Sequence, residues 1–141
     1  DDTLVTSSYN GGVYAVEAGS GSVKWQLQVE GASRSHVAGS RLYFTAPRTG
    51  LVAMDLAGNR LWRQAIAKGV PTAPVVQGPY IFVGGTESGL YVASAATGRL
   101  LQYIQTGKGI SAVPAVSDKM LVVLTNGGSL MVFKVSPRRP G

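Results

Sequence analysis

The 141-residue sequence contains no cysteine and a single histidine, and these absences remove several kinds of chemistry. Without cysteine there is no disulfide framework, no thiolate metal site and no thiol nucleophile. A Ser-His-Asp triad could use only His36 as its base, and His36 falls in a predicted inner strand or its entry loop, where we expect a structural or solvent-facing role. The seven carboxylates are spread along the chain. We therefore assign no catalytic residue, no metal ligand and no cofactor.

Long apolar runs and clusters of charge are also missing. No stretch of about 18 apolar residues could cross a membrane as a helix, and the first residues, DDTLVTSSYN, lack the charged start and apolar stretch of a signal peptide. Charged residues make up 14% of the chain and the net charge is +6. Because lysine and arginine are scattered, apart from Arg138 and Arg139, the charge is typical of solubility and not of nucleic-acid binding. We expect no nucleic-acid partner and at most a peripheral association with a membrane.

Glycine and apolar residues, by contrast, are plentiful. There are 19 glycines, and hydrophobic residues make up 45% of the chain. Many glycines among few charges are typical of tight turns between short strands. The length suits one domain with a sizeable core, so we expect an all-β protein.

One pattern recurs along the whole chain. AVEAGSGSVKW (15–25) is followed by AMDLAGNRLW (53–62), and the related segments SGLYVASAATGRLLQY and GGSLMVFKV begin at Ser88 and Gly127. The glycine that precedes the apolar run recurs at intervals of 38, 39 and 39 residues, at Gly12, Gly50, Gly89 and Gly128. Such a fixed period indicates a repeat architecture.

Each repeat is predicted to contain four short antiparallel strands, A to D, because apolar residues alternate and no stretch shows helical periodicity. In the second repeat they are A His36–Ala38, B Arg41–Thr45, C Leu51–Leu56 and D Arg60–Ile66. The separating turns are Gly39-Ser40, Arg48-Thr49-Gly50 and Gly58-Asn59. Two hairpin turns of two residues with positive φ are predicted at Asn10-Gly11 and Asn126-Gly127.

A repeat of about 40 residues with four strands is the signature of a β-propeller blade. The predicted fold class is therefore all-β, a propeller of four-stranded antiparallel blades, with about 3.5–4 blades present as part of a larger ring. The blades are expected at 1–30, 31–68, 69–108 and 109–136. This makes 1–136 a partial propeller and 137–141 a tail.

The ends of the repeat array leave two interpretations of the ring open. The chain opens on strand B (Leu4–Ser7) and stops after strand C (Leu130–Val135), so the blades should have three, four, four and three strands. We expect an N-terminal segment of a longer polypeptide to supply the missing outer strand and close the ring. The rival interpretation is self-association of two chains through open blade edges into one eight-bladed ring.

Two tryptophans are predicted to hold neighbouring blades together. Trp25 and Trp62 fall at the same place in strand D of the first two repeats, and an indole buries more area against the next blade than a smaller side chain would. The third repeat has Gln102 there, so its contact should be weaker. The glycine-rich stretch before Trp25 precedes no helix, which predicts a turn and not a phosphate loop.

The motif A-x-[DE]-x-x-[ST]-G-x-x-x-W, matched by Ala15, Glu17, Ser20, Gly21 and Trp25, resembles the repeat of the pyrroloquinoline-quinone (PQQ) type propellers. Within that superfamily, four segments resemble in order and spacing the C-terminal half of the BamB family, the propeller lipoproteins of the outer-membrane β-barrel assembly machinery. The segments are YNGGVYAVEAGSGSVKW, VAGSRLYF, PVVQGPYIFVGGTESGLYV and PAVSDKMLVVLTNGGSLMVF. They cover nearly the whole chain.

This resemblance implies a non-enzymatic protein-interaction scaffold in the periplasm, anchored at the outer membrane, that binds the central barrel-assembly subunit through blade loops. Family contacts are associated with a loop after a strand C, here Val16 to Gly19. The apolar and basic character of the family is not kept there, and the lipidated cysteine is absent. The candidate partner-binding residues are Val16, Ala18, Gly19, Ser20, Arg41 and Arg60.

Basic residues indicate a second candidate surface. Arg34, Lys68 and Lys108 fall in the connections from strand D to the next strand A, with Arg48 beside them in a B–C hairpin. Together they would form a cationic mouth for an acidic partner or ligand. The alternative is a set of solvated loop charges repeated by common ancestry.

Two other functions stay open on the sequence alone. A fragment of a PQQ-dependent quinoprotein dehydrogenase would need a Ca²⁺ site of hard oxygen ligands, and no such cluster stands out. An extracytoplasmic ligand-binding propeller is also compatible with the blades. Glu17 and Asp55 occupy equivalent repeat positions, where a carboxylate can accept N–H groups of the following turn, so we expect them to be structural and not a general-acid pair.

Overall fold

A computed structural model of the chain describes residues 2–66 and 68–137. These residues form strands and turns, with no helix among them. The strands are β1 Thr3–Ser8, β2 Gly12–Glu17, β3 Val23–Leu27, β4 His36–Ala38, β5 Arg41–Ala46, β6 Gly50–Asp55, β7 Arg60–Gln64, β8 Val75–Gln77, β9 Tyr80–Gly84, β10 Leu90–Ser94, β11 Leu100–Ile104, β12 Ala115–Ser117, β13 Met120–Leu124 and β14 Leu130–Lys134.

The strands form four antiparallel sheets in which each strand pairs with its neighbours along the chain. The sheets contain β1–β3, β4–β7, β8–β11 and β12–β14, which gives three, four, four and three strands. The inner strands lie side by side, β4 beside β8 and β8 beside β12. The sheets are the blades of a partial β-propeller, numbered blade 1 to blade 4 below, and the predicted all-β propeller is confirmed.

The predicted blade boundaries at 30, 68 and 108 fall between the sheets and stay predictions. Of the predicted tail, residues 138–141, with Arg138 and Arg139, lie outside the described residues.

Blade 2 shows how closely the predicted strands match the structure. Strand A is β4, as predicted, strand B continues to Ala46, and strand C runs from Gly50 to Asp55. Strand D ends at Gln64, two residues earlier than predicted. The reason is that Ile66 leaves the sheet and is buried in the core between blades 2 and 3.

The two predicted Asn-Gly hairpin turns, at 10–11 and 126–127, are longer than two residues, so that prediction is wrong. Ser8 pairs with Gly12, which leaves three residues in the first loop. In the last hairpin the Thr125 N–H donates to the Ser129 oxygen over 2.9 Å and encloses residues 126–128. Positive φ falls on the glycine that follows each pair. Gly128 (84°) ends its three-residue loop, as is common for such loops, whereas Gly12 (97°) is the first residue of β2.

Apolar side chains pack between blades in three clusters. Because side chains alternate along a strand, Leu42 and Phe44 face blade 1 whereas Tyr43 faces blade 3. Blades 1 and 2 bury Val13, Ala32, Leu42, Phe44, Val52 and Met54. Blades 2 and 3 bury Tyr43, Leu51, Ala53, Ile66, Ile81, Val83, Tyr91, Ala93 and Ala95. Blades 3 and 4 bury Phe82, Leu90, Val92, Ile110, Leu121 and Val123.

The outer faces of blades 1 and 4 expose apolar side chains. Leu4 on blade 1 is 61% exposed, and Leu130 on blade 4 is 66% exposed. In blade 2 the side chains of Leu42 and Leu51, which take the corresponding places, are fully buried. Completion of the ring, whether by a longer polypeptide or by a second chain, stays a prediction.

Trp25 and Trp62 each reach across to the following blade. The Trp25 Nε1–H donates to the Leu56 oxygen over 2.9 Å, and its ring covers Gly58, where an added Cβ would lie 2.9 Å from Trp25 Cγ. The Trp62 ring covers Gly98 in the same way, and an added Cβ would overlap it. Both glycines have positive φ, 96° and 77°. The indoles therefore pack on backbone that glycine adopts without strain.

The two indoles differ in their hydrogen bonding. Trp62 Nε1 is buried and has no hydrogen-bond partner among the described residues. Carbonyl groups in the turn beneath it instead accept hydrogen bonds from other side chains of blade 2. Arg41 Nη1 donates to the Ala95 and Ala96 oxygens over 3.2 and 3.3 Å, and the Tyr43 hydroxyl donates to the Ala95 oxygen over 3.3 Å. Trp62 thus contributes packing alone.

The third interblade junction has no indole. Gln102 pairs with Val92, the position that corresponds to the Ala–Trp pairs of the first two blades. A cavity of about 420 Å³ lies between blades 3 and 4, lined in part by Gln102, Leu121 and Phe133. The smaller side chain therefore leaves this junction less filled.

Alanine at Gly58 or Gly98, the two glycines that the indoles cover, should destabilise the protein more than alanine at Gly21. Gly21 also has positive φ, 74°, but an added Cβ would meet no atom within 4 Å. Gly21→Ala therefore carries only the backbone cost of about 1–2 kcal/mol. Gly58→Ala and Gly98→Ala add a clash with an indole, which costs about 1–3 kcal/mol more. Urea unfolding measures the differences, and equal losses in all three variants would contradict the prediction.

Removal of the indole N–H should matter at Trp25 and not at Trp62. Trp25→Phe leaves the Leu56 oxygen without its donor, whereas Trp62→Phe removes an N–H that has no partner within residues 2–66 and 68–137. Because both variants lose similar ring area, we expect Trp25→Phe to lower the free energy of unfolding by about 1 kcal/mol more. Denaturant titration of the two single variants gives this difference. An equal or larger cost at Trp62 would refute it.

Candidate functional site

The blades present two different ends. The docking end carries the A–B and C–D turns, which in blade 2 are 39–40 and 56–59. The connection end carries the B–C hairpins and the interblade segments, such as 47–49 and 28–35. The predicted partner-binding residues lie at the docking end, and the predicted cationic residues lie at the connection end.

Glu17 holds the docking-end turn of blade 1. Its carboxylate accepts the Gly19 N–H over 3.1 Å and the Ser20 N–H over 2.8 Å, and the Ser20 hydroxyl donates to the same carboxylate. The Ser20 hydroxyl first, and then these N–H groups, lower the pKa of Glu17. Ala18, Gly19 and Ser20 are exposed and Val16 is half-buried. The turn is thus a fixed, exposed tip of small residues.

Asp55 holds the corresponding turn of blade 2. Its carboxylate accepts the Asn59 N–H over 2.9 Å, the Asn59 Nδ2–H over 3.1 Å and the Ala57 N–H over 3.0 Å. The hydrogen bonds from Asn59 are the main cause that lowers the pKa of Asp55. The same turn contains Gly58, on which Trp25 packs. Both acids therefore act on turn geometry.

The two arginines predicted at this surface differ in their surroundings. Arg60 begins β7 and is exposed. Arg41 is half-buried, and its guanidinium is bonded to the carbonyls of Ala95 and Ala96 in blade 3. A partner-binding role stays a prediction for both, and Arg60 is the better placed of the two.

At the connection end, the structure groups two of the four predicted cationic residues. Lys68 and Lys108 line one cleft. Arg34 is exposed near His36, where burial first and the Arg34 charge second lower the pKa of the imidazole. Arg48 is exposed in the β5–β6 hairpin. Of the predicted cationic mouth, the structure thus brings Lys68 and Lys108 together in one cleft, whereas Arg34 and Arg48 do not line that cleft.

This lysine cleft has a volume of about 450 Å³. Its lining includes Glu87 as well as three residues that the sequence analysis missed, Tyr91, Tyr103 and Gln105. The two tyrosine rings have their centroids 4.9 Å apart, with Tyr91 buried and Tyr103 48% exposed. The available signal was the repeat register, because Tyr91 and Tyr103 face each other in strands C and D of blade 3.

Metal-type clusters and spanning helices are not found in the described chain. Within residues 2–66 and 68–137, no three histidine, cysteine, aspartate or glutamate side chains gather as they would around a metal ion. The same residues contain no helix of the length and apolarity that crossing a membrane requires.

Neutralisation of Asp55 should destabilise the protein at neutral pH and have little effect in acid. The pKa of Asp55 is lowered on folding, so its contribution is complete above the ordinary value of 3.8 and is lost as pH falls through the lower folded value. Asp55→Asn keeps an oxygen acceptor and loses the charge. Its unfolding midpoint should lie below that of the parent at about pH 7 and approach it as the pH falls further and further below 3.8. A gap that persists in acid would rule out the carboxylate charge as its source.

The sequence and the fold were compared with known proteins. A family profile described as "Outer membrane protein assembly factor BamB" matches residues 1–65 and 48–136. BamB of Legionella pneumophila (strain Paris) is 31% identical over 92% of this chain and 34% of its own length. BamB of Yersinia pestis is 27% identical over 90% of this chain and 33% of its own. The chain thus spans about a third of the length of these curated relatives.

Solved structures show the same fold. BamB from Moraxella catarrhalis aligns with a TM-score of 0.81 at 20% identity, over 96% of this chain and 41% of that one. The computationally designed protein Ika4 aligns with a TM-score of 0.84 at 14% identity, over 96% of this chain and 87% of that one. At these identities the likeness concerns the fold alone.

Blades of three and four strands, joined by indoles that pack on glycine turns, define the chain as part of a β-propeller of the PQQ-repeat type. The BamB profile matches two overlapping segments that together cover residues 1–136. The chain therefore belongs to the family of the outer membrane protein assembly factor BamB, and the resemblance noted in the sequence is confirmed.

Proposed function

We propose that this chain is the propeller part of a non-enzymatic scaffold for the assembly of outer-membrane proteins. The observation that carries the proposal is the family match over residues 1–136, supported by relatives named as assembly factors. Their name supports a location at the outer membrane, for which we propose the periplasmic side. The proposed partner is a protein subunit of the assembly machinery.

The docking end supports a binding role because its turns are rigid and exposed. The Glu17 carboxylate holds the tip formed by Ala18, Gly19 and Ser20, and small side chains let a partner backbone approach closely. Arg60, exposed at the start of β7, supplies planar donors suited to a carboxylate of the partner. Open edges of outer strands also offer places for β-augmentation.

The alternatives are a fragment of a PQQ-dependent dehydrogenase and a ligand-binding propeller. The names of the relatives favour the scaffold over the dehydrogenase. The lysine cleft is a described feature that favours binding of a ligand. Because that ligand could be a segment of a partner protein, the cleft is also compatible with the scaffold function.

In cells, the full-length protein should support outer-membrane assembly through its docking end. Deletion of its gene should reduce β-barrel proteins in the outer-membrane fraction, and a wild-type copy should restore them. A copy with Ala18→Glu and Arg60→Glu should restore far less, since reversal of a contact arginine weakens binding about tenfold or more. Lys119→Glu, exposed in the docking-end turn of blade 4, is the matched charge control. Quantitative blotting of outer-membrane fractions measures each result.

The outcomes separate the function from the surface. Normal β-barrel levels after gene deletion would sink the assembly function. Full restoration by the double variant would retain the function and overturn the docking-end surface, as would an equal defect in Lys119→Glu.

A further inference from the structure

The lysine cleft is built around the β9–β10 hairpin of blade 3. Lys68 belongs to the segment that enters blade 3, and Lys108 belongs to the segment that leaves it. Both segments contact the hairpin through its backbone, because the Thr86 N–H donates to the Val70 oxygen over 3.1 Å and the Ile110 N–H donates to the Gly85 oxygen over 2.8 Å. The two lysines are therefore carried by segments attached to the same hairpin.

Lys68 occupies a backbone position that suits glycine. Its φ is 58°, in the left-handed region that non-glycine residues rarely adopt. The strand registers on both sides place Lys108 at the equivalent position one blade later, and there the positive φ of the connection, 75°, falls on Gly107 instead. The Lys68–Gly69 and Lys108–Gly109 pairs therefore occupy equivalent positions with different backbone conformations. A lysine kept where glycine fits better indicates a role for its side chain.

Lys108 is positioned by packing. An added Cβ at Gly127 would lie 2.7 Å from Lys108 Cγ, so the aliphatic stem rests on the blade 4 hairpin. Stems of lysine commonly pack on a surface while the ammonium group stays in water. This contact limits the positions available to the second ammonium group.

The rest of the cleft suits an extended peptide better than a small anion. The Tyr91 and Tyr103 rings, in contact and tilted by 45°, provide an apolar floor, Tyr103 being half exposed. Gln105 adds an amide with both donor and acceptor groups. Glu87 is an acceptor for a backbone N–H and disfavours a densely charged ligand such as a phosphate. A cleft of about 450 Å³ also greatly exceeds the size of a single ion.

We propose that the lysine cleft binds an extended acidic segment of a protein partner, with its carboxylates at Lys68 and Lys108 and an apolar side chain on Tyr103. This inference rests on the proposed scaffold function in so far as the partner is a protein. The cleft lies at the connection end, opposite the tip formed by Ala18 to Ser20. It would therefore be a second contact with the partner machinery.

The test measures binding of a fluorescein-labelled peptide of alternating glutamate and tyrosine to the full-length protein by fluorescence anisotropy. Lys68→Gly with Lys108→Gln should weaken binding about tenfold or more and flatten its dependence on salt. Lys68→Gly places glycine at a left-handed position, which glycine adopts without strain, so the fold should be kept, and the unfolding midpoint verifies this. Lys119→Gln, with comparable exposure at the other end, should change affinity by less than about twofold.

The proposal would be overturned by unchanged affinity in the double variant, by an equal loss in Lys119→Gln, or by equal binding of a peptide with lysine in place of glutamate. Displacement of the peptide by inorganic phosphate or by phosphatidylglycerol vesicles would also overturn it, in favour of a general anion site. Failure of peptide binding leaves the gene-deletion result untouched. Normal β-barrel levels after gene deletion, together with retained peptide binding, would refute the assembly function but leave the proposed peptide binding by the lysine cleft in place.

Discussion

The packing of an indole on glycine backbone connects blade 1 to blade 2 and blade 2 to blade 3. Trp25 lies on Gly58 and Trp62 lies on Gly98, each in the C–D turn of the following blade. A glycine at these places leaves room for a large flat ring, and the ring in turn covers the apolar core between the blades. The turn geometry is held by an acid in blade 2, where Asp55 binds the N–H groups around Gly58. In the blade 2 turn, the carboxylate and the indole of the preceding blade therefore fix the same backbone.

The same junction is built three ways along the chain. Between blades 1 and 2 the indole both packs and donates to Leu56. Between blades 2 and 3 the nearby carbonyls accept hydrogen bonds from Arg41 and Tyr43, and the Trp62 N–H has no partner in the described part of the chain. Between blades 3 and 4 Gln102 borders a cavity. The strand pairing of the repeat is the same at all three junctions, whereas the side-chain contacts differ. A repeat protein can in this way present different surfaces on blades of the same backbone structure.

The repeat could be predicted because its signals are local. Glycine spacing, alternation and the recurring tryptophan depend on sequence order alone, and strands β4 to β6 lie within one residue of their predicted bounds. The loop lengths of the hairpins at 10–11 and 126–127 were predicted wrongly, because an asparagine–glycine pair is compatible with more than one loop length. The hydrogen bonds that Arg41 and Tyr43 make to blade 3 were not predicted either, since the accepting residues, Ala95 and Ala96, are about fifty residues away in the sequence. The lysine pair was noticed, but the left-handed backbone at Lys68 and the tyrosine floor were not.

By itself, the sequence determined the all-β class, the blade period and the turns that carry Glu17 and Asp55, because periodicity and turn chemistry act over a few neighbouring residues. Only the tertiary structure decided which indole keeps a hydrogen bond, that Arg41 joins two blades, and that Lys68 and Lys108 share a cleft while Arg34 and Arg48 do not. These outcomes depend on the distances between blades. Such distances arise when side chains far apart in sequence pack together, and no local pattern encodes them.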